Sequence, residues 1–307
     1  MKLLLANPRG FCAGVVRAIE IVERALELYG APIYVKHEIV HNRHVVDRLR
    51  DMGAIFIEEI DEVPVGAKLV YSAHGVSPAV REEAKRRGLF EIDATCGLVT
   101  KVHSAAKRFA SKGMHVILIG HKDHVETIGT AGEAPDQTTV VETVEDVESL
   151  HFSSKTQLAY LTQTTLSLDD VEEIVAALKR RFPQITTLPS SSICFATTNR
   201  QMALRAIAEE TDLILVVGDP TSSNSNRLVE VARMRSIPAY LINHEDEIER
   251  SWLQDVNVIG LTAGASTPEE IVQRCIDRLK QFGVSEVEDV VYKKEDVVFQ
   301  LPTALQR

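Results

Sequence analysis

Apolar stretches of two kinds alternate along most of the 307-residue chain. Short runs rich in aliphatic residues, such as KLLLAN, HVILIG and DLILVVG, are typical of buried strands. Other stretches repeat apolar residues at helical spacing: residues 14–29 carry Val15, Ala18 and Ile19 on one face, and Gly30 ends the segment. Strands that alternate with helices predict parallel α/β sheets.

The pattern predicts eight strands and seven helices. The strands lie in KLLLAN, APIYVKHE, AKLVYSAHG, HVILIG, TQLAYLTQT, DLILVVG, IPAYLIN and VNVIGLTAG. The helices are predicted over residues 14–29, 77–87, 98–112, 168–182, 199–210, 224–235 and 268–282. The last segment, VEDVVYKKEDVVFQLPTALQR, fits either a strand or an extended arm.

The cysteines mark a coarse internal repeat. Cys12, Cys96 and Cys194 each stand just before a predicted helix, 84 and 98 residues apart. One α/β module repeated three times around an axis explains this spacing. The expected modules are residues 10–95, 96–193 and 194–283, the last completed by a strand from residues 1–9, with a tail at 284–307. Cys275 breaks the pattern, since it lies inside a predicted helix, and we assign it to packing.

Composition narrows the function classes. The net charge of −10 argues against a non-specific nucleic-acid or anionic-membrane binder, although it leaves small anionic ligands open. No apolar run reaches the roughly 18 to 20 residues that span a bilayer, and the first residues lack the apolar core of a signal peptide. We therefore expect a soluble cytoplasmic protein whose cysteines stay reduced.

Three thiols at helix starts form a specific chemical setting. Amides at a helix N-terminus favour the thiolate, which is the metal-binding form. Zinc and an iron–sulfur cluster both remain open, but structural zinc sites usually pair their ligands closely, and CxxC is absent here. Three ligands on a four-iron cluster would leave one iron without a protein ligand.

Polar side chains collect at or just after the carboxyl ends of the predicted strands, where α/β sheets bind ligands. They are His41, His74, His124, Thr164, Ser222, Ser223, Asn224 and Ser266. Plain N-capping explains one such loop, but two helix-opening loops and three histidines favour an anion site that a diphosphate would satisfy. Glu126, two residues after His124, is a candidate proton donor.

The segment HEIVH, residues 37–41, matches the HExxH zinc motif of hydrolases. That motif requires a helix, on which both histidines face one way. The surrounding residues, PIYVKHEIV, predict a strand instead, so a zinc hydrolase is an alternative without the required context.

These motifs together resemble a known family. The resemblance runs from residue 3 to about residue 280, in order and at matching spacing. It rests on LLANPRGFCAGVVRAIEIVERAL, HEIVHN, SAHGVSP, DATCGLVTKVH, IGHKDHVETIGT, TQTTLS, CFATTNRQ, SSNSNRL and TAGAS. The chain is similar to the 4-hydroxy-3-methylbut-2-enyl diphosphate reductases, the IspH/LytB family.

The resemblance implies a fold and an activity. The fold is three similar α/β modules in a trefoil around one [4Fe–4S] cluster per chain, with one iron not ligated by protein. The activity is two-electron reductive dehydroxylation of an allylic diphosphate to isopentenyl and dimethylallyl diphosphates, the last step of the methylerythritol phosphate route. A ferredoxin or flavodoxin supplies the electrons, and neither nucleic acid nor membrane is a partner.

The resemblance also assigns residues. Cys12, Cys96 and Cys194 match the cluster ligands, and Glu126 and Thr164 match a proton-relay pair. The matches to the substrate and diphosphate pocket are His41, His74, His124, Thr164, Ser222, Ser223, Asn224 and Ser266, with His124 also among the catalytic residues.

This chain departs from the family pattern at three places. Gly97 replaces the usual proline after the second cysteine, Val125 replaces the proline between His124 and Glu126, and TIGT replaces the commoner VEGT. A divergent paralogue, acting as a non-catalytic regulator that binds diphosphate or metal, is therefore the alternative function.

Overall fold

A computed structural model describes residues 1–306, and these residues form mixed α/β structure with three parallel sheets. The strands are β1 Lys2–Asn7, β2 Ile33–Lys36, β3 Ala54–Ile57, β4 Lys68–Tyr71, β5 Phe90–Asp93, β6 His115–Ile119, β7 Thr138–Val141, β8 Leu158–Thr162, β9 Leu213–Val217, β10 Ala239–Ile242, β11 Val258–Ala263 and β12 Glu286–Val291.

The α-helices are α1 Ala13–Tyr29, α2 Arg43–Asp51, α3 Pro78–Arg86, α4 Gly97–Ser111, α5 Val125–Ala131, α6 Val144–Ser149, α7 Leu168–Arg181, α8 Phe195–Ala208, α9 Ser223–Arg233 and α10 Glu269–Gln281. The chain divides into two compact units. The first unit is residues 1–16, 41–45 and 195–298, and the second is 17–40, 46–194 and 299–307.

The first unit is built on a five-stranded sheet in the order β10-β9-β11-β1-β12. Because neighbouring side chains on a strand face opposite sides, β1 contributes to two cores. Leu3 and Leu5 pack on the α10 side, and Leu4 and Ala6 pack on the side of α8 and α9. The interior position of β1, between β11 and β12, explains its unbroken apolar run, which is typical of a parallel strand covered on both faces.

Cys275 belongs to the core on the α10 side of that sheet. Its side chain is fully buried among apolar residues, including Ile271 and Ile276. Burial raises the pKa of the Cys275 thiol to about 12, so the thiol stays protonated at neutral pH. The assignment of Cys275 to packing is confirmed.

The second unit holds two smaller sheets. One has four strands in the order β3-β2-β4-β5, and the other has three in the order β7-β6-β8. The strand β6 again faces two cores, with Ile117 and Ile119 toward α7, and Val116 and Leu118 toward α4. In both sheets the strands are parallel, so their carboxyl ends gather the loops that carry the polar residues.

All eight predicted strands and seven predicted helices are present. The strand in APIYVKHE is shorter than expected and ends at Lys36, so residues 37–41 are neither strand nor helix. The pattern missed the strands β3, β5 and β7 and the short helices α2, α5 and α6. The last segment, left open between a strand and an extended arm, contributes to the strand β12. The boundaries of the three modules stay a prediction. Among residues 1–306, no helix is both long and apolar enough to cross a bilayer.

Candidate functional site

The loop between β1 and α1 carries Cys12 in the first unit. Gly10 turns the chain with a φ of +65°, and its amide donates to the Ala263 carbonyl at 3.2 Å. A β-carbon at Gly10 would lie 3.1 Å from the Thr267 carbonyl oxygen, so glycine is required on two counts. The Cys12 amide donates to Ala265 at 3.1 Å, which fixes Cys12 beside the loop after β11.

The two predicted anion-binding loops of the first unit are joined by Asn224. Its Oδ1 accepts from the Ala265 amide at 2.8 Å, while its Nδ2 is buried and has no hydrogen-bond partner. Ser266 donates from Oγ to the His41 carbonyl at 2.8 Å, which adds His41 to the same group. Asn224 is 4% exposed, so its amide nitrogen is a buried donor that lacks an acceptor.

Ser222 shows the N-capping role expected of it. It is the N-cap of α9, and its Oγ accepts from the Ser225 amide at 3.3 Å. Ser223 is the first helical residue, so the Ser222–Asn224 run lies at the positive end of the helix dipole. The capping and anion-binding interpretations are compatible, because the amides at the start of a helix point toward an anion bound there.

Tight packing around Ser225 was not foreseen from the sequence. Ser225 is fully buried, and β-carbons added at Gly218 and Gly264 would lie 2.2 Å and 2.0 Å from its Oγ. Both glycines are thus required for α9 to approach the ends of β9 and β11. The sequence signal for this close packing is the glycine that follows each strand, in VVGDP and in TAGAS.

Asp219 anchors the short segment that carries His41. Its carboxylate accepts from the Thr221 amide at 2.9 Å, the Thr221 hydroxyl at 2.7 Å and the Arg43 amide at 3.0 Å. Burial opposes ionisation, but these hydrogen bonds and the nearby His41 outweigh it and lower the pKa of Asp219. Asp219 is not among the residues predicted from the sequence, since an acid that follows a strand is usually solvated.

In the second unit, His74 and His124 face each other from two different sheets. Their ring centroids are 6.0 Å apart, and the rings are nearly perpendicular. Ser72 Oγ lies 3.3 Å from His74 Nδ1, and His124 is the N-cap of α5, accepting at Nδ1 from the Glu126 amide at 3.2 Å. The strand-end placement predicted for both histidines is observed.

Glu126 and Thr164 form a buried polar contact in this unit. The Glu126 carboxylate accepts from the Thr164 amide at 2.6 Å and from the Thr164 hydroxyl at 2.9 Å. Glu126 is 2% exposed and Thr164 is 4% exposed. A carboxylate bonded to a hydroxyl in a buried setting can pass a proton along that bond, which solvated loop acids cannot do selectively.

Cys96 and Cys194 are tied to the same strand-end loops. The Cys194 amide donates to the Thr164 carbonyl at 3.0 Å, and the Cys96 amide donates to the Ala73 carbonyl at 3.0 Å. The helices α8 and α4 begin directly after these cysteines. A single main-chain hydrogen bond therefore links Cys194 to the Glu126–Thr164 pair. Another links Cys96 to Ala73, the residue before His74.

The two departures from the proline of the family pattern lie at the same position of their helices. Gly97 is the first residue of α4, and Val125 is the first residue of α5. Proline is favoured at that position because its fixed φ suits the helix and the missing amide has no acceptor there. Other residues fit the same position, so both helix starts form without proline.

His103 on α4 is a buried residue that the sequence analysis did not single out. Its Nδ1 lies 2.9 Å from Glu133 Oε1, and the ring is 7% exposed. A β-carbon at Gly75 would lie 3.0 Å from His103 Nε2, and one at Gly129 would lie 3.3 Å from its Cε1. The ring thus fills the space between the His74 loop and α5.

The HEIVH segment does not form the helix that a zinc hydrolase needs. His37 has a φ of +62°, and its Nδ1 is bonded to Glu58. Within residues 1–306, no three His, Cys, Asp or Glu side chains are grouped to hold a single metal ion.

Comparison with known proteins identifies the family. The family model described as LytB protein matches residues 3–280, which is most of the chain. The chain belongs to the LytB family. A LytB relative from Protochlamydia amoebophila, named 4-hydroxy-3-methylbut-2-enyl diphosphate reductase, is 71% identical over 98% of this chain and 96% of its own length. A relative of the same name from Chlamydia pneumoniae is 62% identical over 99% of both chains.

Two solved LytB structures match as well. The E-1-hydroxy-2-methyl-but-2-enyl-4-diphosphate reductase from Plasmodium falciparum is 48% identical, with a TM-score of 0.97 over 99% of this chain and 96% of that chain. A second structure, described as the terminal enzyme of the non-mevalonate pathway, is 31% identical, with a TM-score of 0.65 over 91% and 99%. These matches confirm the predicted α/β class and the predicted family, and the structure has three small parallel sheets.

Proposed function

We propose that the chain is a 4-hydroxy-3-methylbut-2-enyl diphosphate reductase. The substrate loses its hydroxyl group as water and gains two electrons and two protons in total, giving isopentenyl or dimethylallyl diphosphate. One proton completes the water, and the other goes to an allylic carbon. The observation that carries the proposal is the buried Glu126–Thr164 contact, found in a chain 71% identical to a relative of that name. The non-catalytic regulator is not favoured.

The residues present fit an iron–sulfur cluster. Cys12, Cys96 and Cys194 are partly buried cysteines, and each stands at the start of a helix. Cysteine side chains are the usual protein ligands of iron–sulfur clusters. We propose that they hold one [4Fe–4S] cluster and leave one iron without a protein ligand. When bound, the cluster supplies single electrons and a Lewis-acidic iron.

We infer that the first unit binds the diphosphate. The amides at the start of α9 and the buried Asn224 Nδ2 are donors that suit phosphate oxygens. Ser222, Ser223 and Ser266 add hydroxyls, and His41 adds an imidazole. On the second unit, His74 and His124 are proposed to bind the substrate, with His124 also holding α5 through its bond to the Glu126 amide.

We propose that Glu126 and Thr164 deliver the proton that completes the departing water. The Thr164 hydroxyl donates a hydrogen bond to the Glu126 carboxylate, so a proton can pass between the two side chains. Two main-chain contacts, from the Thr164 amide to Glu126 and from the Cys194 amide to the Thr164 carbonyl, fix the hydroxyl in place. A preset geometry of this kind raises the efficiency of proton transfer.

The electron donor is proposed to be a ferredoxin or flavodoxin, because the reaction takes up two electrons and such carriers deliver one at a time. We propose that the protein acts in the cytoplasm, a reducing compartment in which cysteines stay available as metal ligands.

The test is anaerobic reduction of the hydroxylated diphosphate by the cluster-loaded enzyme with a chemical reductant. We expect both products, with Glu126→Gln lowering turnover about 10²–10⁴-fold while iron content and substrate binding stay unchanged. Glu145→Gln is the control, since Glu145 is an exposed acid on α6. Wild-type turnover in Glu126→Gln would remove Glu126 from the mechanism, and a colourless wild-type protein without iron would overturn the proposed function.

A further inference from the structure

A fully buried arginine lies directly behind the Cys12 loop in the first unit. Arg200 on α8 is 0% exposed. Its guanidinium donates to the Gly10 carbonyl twice, from Nη2 at 2.7 Å and from Nε at 3.1 Å, and to the Ala196 carbonyl at 2.9 Å. The Gly10 peptide is therefore held on both sides, since its amide is bonded to Ala263.

The charge of Arg200 is balanced by Glu295, which follows β12. Both carboxylate oxygens of Glu295 lie 3.3 Å from Arg200 Nη1, and Oε1 also accepts from Asn199 Nδ2 at 2.8 Å. The Glu295 side chain is 15% exposed. Removing one partner of such a buried pair leaves an uncompensated charge, which is strongly unfavourable.

Glu295 stands out from its neighbours in the chain. The flanking residues Lys294, Asp296 and Val298 are exposed, and Val298 is 79% exposed. Residues 293–298 are otherwise exposed, so Glu295 is the inward-facing residue of this stretch. Through Arg200, the contact of Glu295 reaches the carbonyl of Gly10, two residues before Cys12.

We propose that Glu295 is a positioning residue for the cluster. Acting through Arg200, it fixes the Gly10 peptide and with it the Cys12 thiolate. This inference rests on the proposed function, because it requires Cys12 to bind iron. Loss of the Glu295 charge redirects the Arg200 guanidinium, frees the Gly10 carbonyl and makes the bound cluster easier to lose.

The experiment compares Glu295→Gln with wild type as anaerobically purified holoenzyme. Glutamine keeps the shape and one acceptor oxygen but removes the charge. We measure iron and sulfide per chain, the rate at which a chelator bleaches the visible absorbance, and the electron paramagnetic resonance spectrum of the reduced cluster. Asp296→Asn is the matched control, because it removes an exposed carboxylate from the adjacent position.

We expect Glu295→Gln to lose its cluster at least about threefold faster than wild type, below the 10–100-fold effects of direct outer-shell partners because Glu295 acts through Arg200. Its spectrum should shift, Asp296→Asn should match wild type, and Glu295→Asp should restore part of the retention. Equal bleaching rates and spectra in wild type and Glu295→Gln overturn the inference.

Two further outcomes keep the tests separate. A wild-type protein without iron would refute the proposed function rather than the role of Glu295. If Glu295→Gln does not fold by circular dichroism, Arg200→Lys is measured in the same way. Lysine keeps the charge but lacks the fork that grips the Gly10 carbonyl, so a wild-type bleaching rate there overturns the inference.

Discussion

Replacing Gly97 by proline tests how the Cys96 helix begins. Gly97 is the first residue of α4, where the backbone amide has no acceptor within the helix. Its backbone is outside the left-handed region. Cys96 has φ −59° and ψ 137°, the extended conformation that a residue before proline prefers. Proline should therefore fit without moving Cys96.

The expected gain is modest and comes from the unfolded chain. A β-carbon at Gly97 would have Phe299 Cε1 as its nearest neighbour, at 3.9 Å, which is an ordinary contact. With no clash to offset, Gly97→Pro should raise the free energy of unfolding by about 0.4–1 kcal/mol, the usual effect of proline at a compatible site. Gly97→Ala should give a smaller gain of the same sign.

Gly113, just after the C-terminal end of α4, provides the control. Gly113 has a φ of +76°, and its amide donates to the Ala110 carbonyl at 2.8 Å. Gly113→Pro loses that bond, about 1 kcal/mol, and forces a strained φ that costs about 1–3 kcal/mol more. Urea unfolding followed by circular dichroism measures all three variants.

The stabilities of Gly97→Pro and Gly113→Pro, taken together, test the described start of α4. If Gly97→Pro is less stable than wild type while Gly113→Pro is neutral, the first turn of α4 is not built as described. Iron content should remain at the wild-type level in Gly97→Pro, since the Cys96 conformation is already the one that proline requires.

Asp219 and Cys275 give two further predictions. Asp219→Asn should lower stability by about 1–3 kcal/mol at neutral pH, because it weakens charge-assisted bonds to Thr221 and Arg43. The pKa of Asp219 is below its usual 3.8 in the folded protein, so this stability is complete above about pH 4 and is lost as the pH falls through the folded pKa. Urea midpoints from pH 3 to 8 check it, and a gap that widens in acid would contradict it. Cys275→Ser should cost about 1–3 kcal/mol by burying a hydroxyl yet leave iron per chain unchanged, and loss of iron would make Cys275 a ligand.

The sequence was sufficient for elements whose apolar pattern is long. The strand β9, LILVV, is buried along its whole length, and α10 shows a regular apolar face. The strands that the pattern missed or left open have weaker patterns. In β12, EVEDVV, five of six residues are exposed because the strand lies at the edge of its sheet, and β5, FEID, buries only Ile92. Such strands form because a partner strand is already present, which periodicity along the chain does not report.

The same limit applies to the site. Strand-end histidines and helix-starting cysteines were predictable, since both follow from the order of elements along the chain. The bond between Asn224 and Ala265 joins residues 41 positions apart, and Arg200 contacts Gly10 across 190 positions. These contacts depend on how the sheet is assembled, so an arginine in FATTNRQ gave no sequence signal that it would support Cys12.

The position of β1 inside its sheet has a consequence for synthesis of the protein. Lys2 pairs with Val258 on one side and with Glu286 on the other, so β1 waits for partner strands that are synthesised much later. The sheets of the second unit need only residues 33–162 for their strands and can assemble while the ribosome is still translating. The loop that carries Cys12 cannot close until β11 and β12 have emerged. If Cys12 binds iron as proposed, this loop can hold the metal only after residues 258–291 have been synthesised.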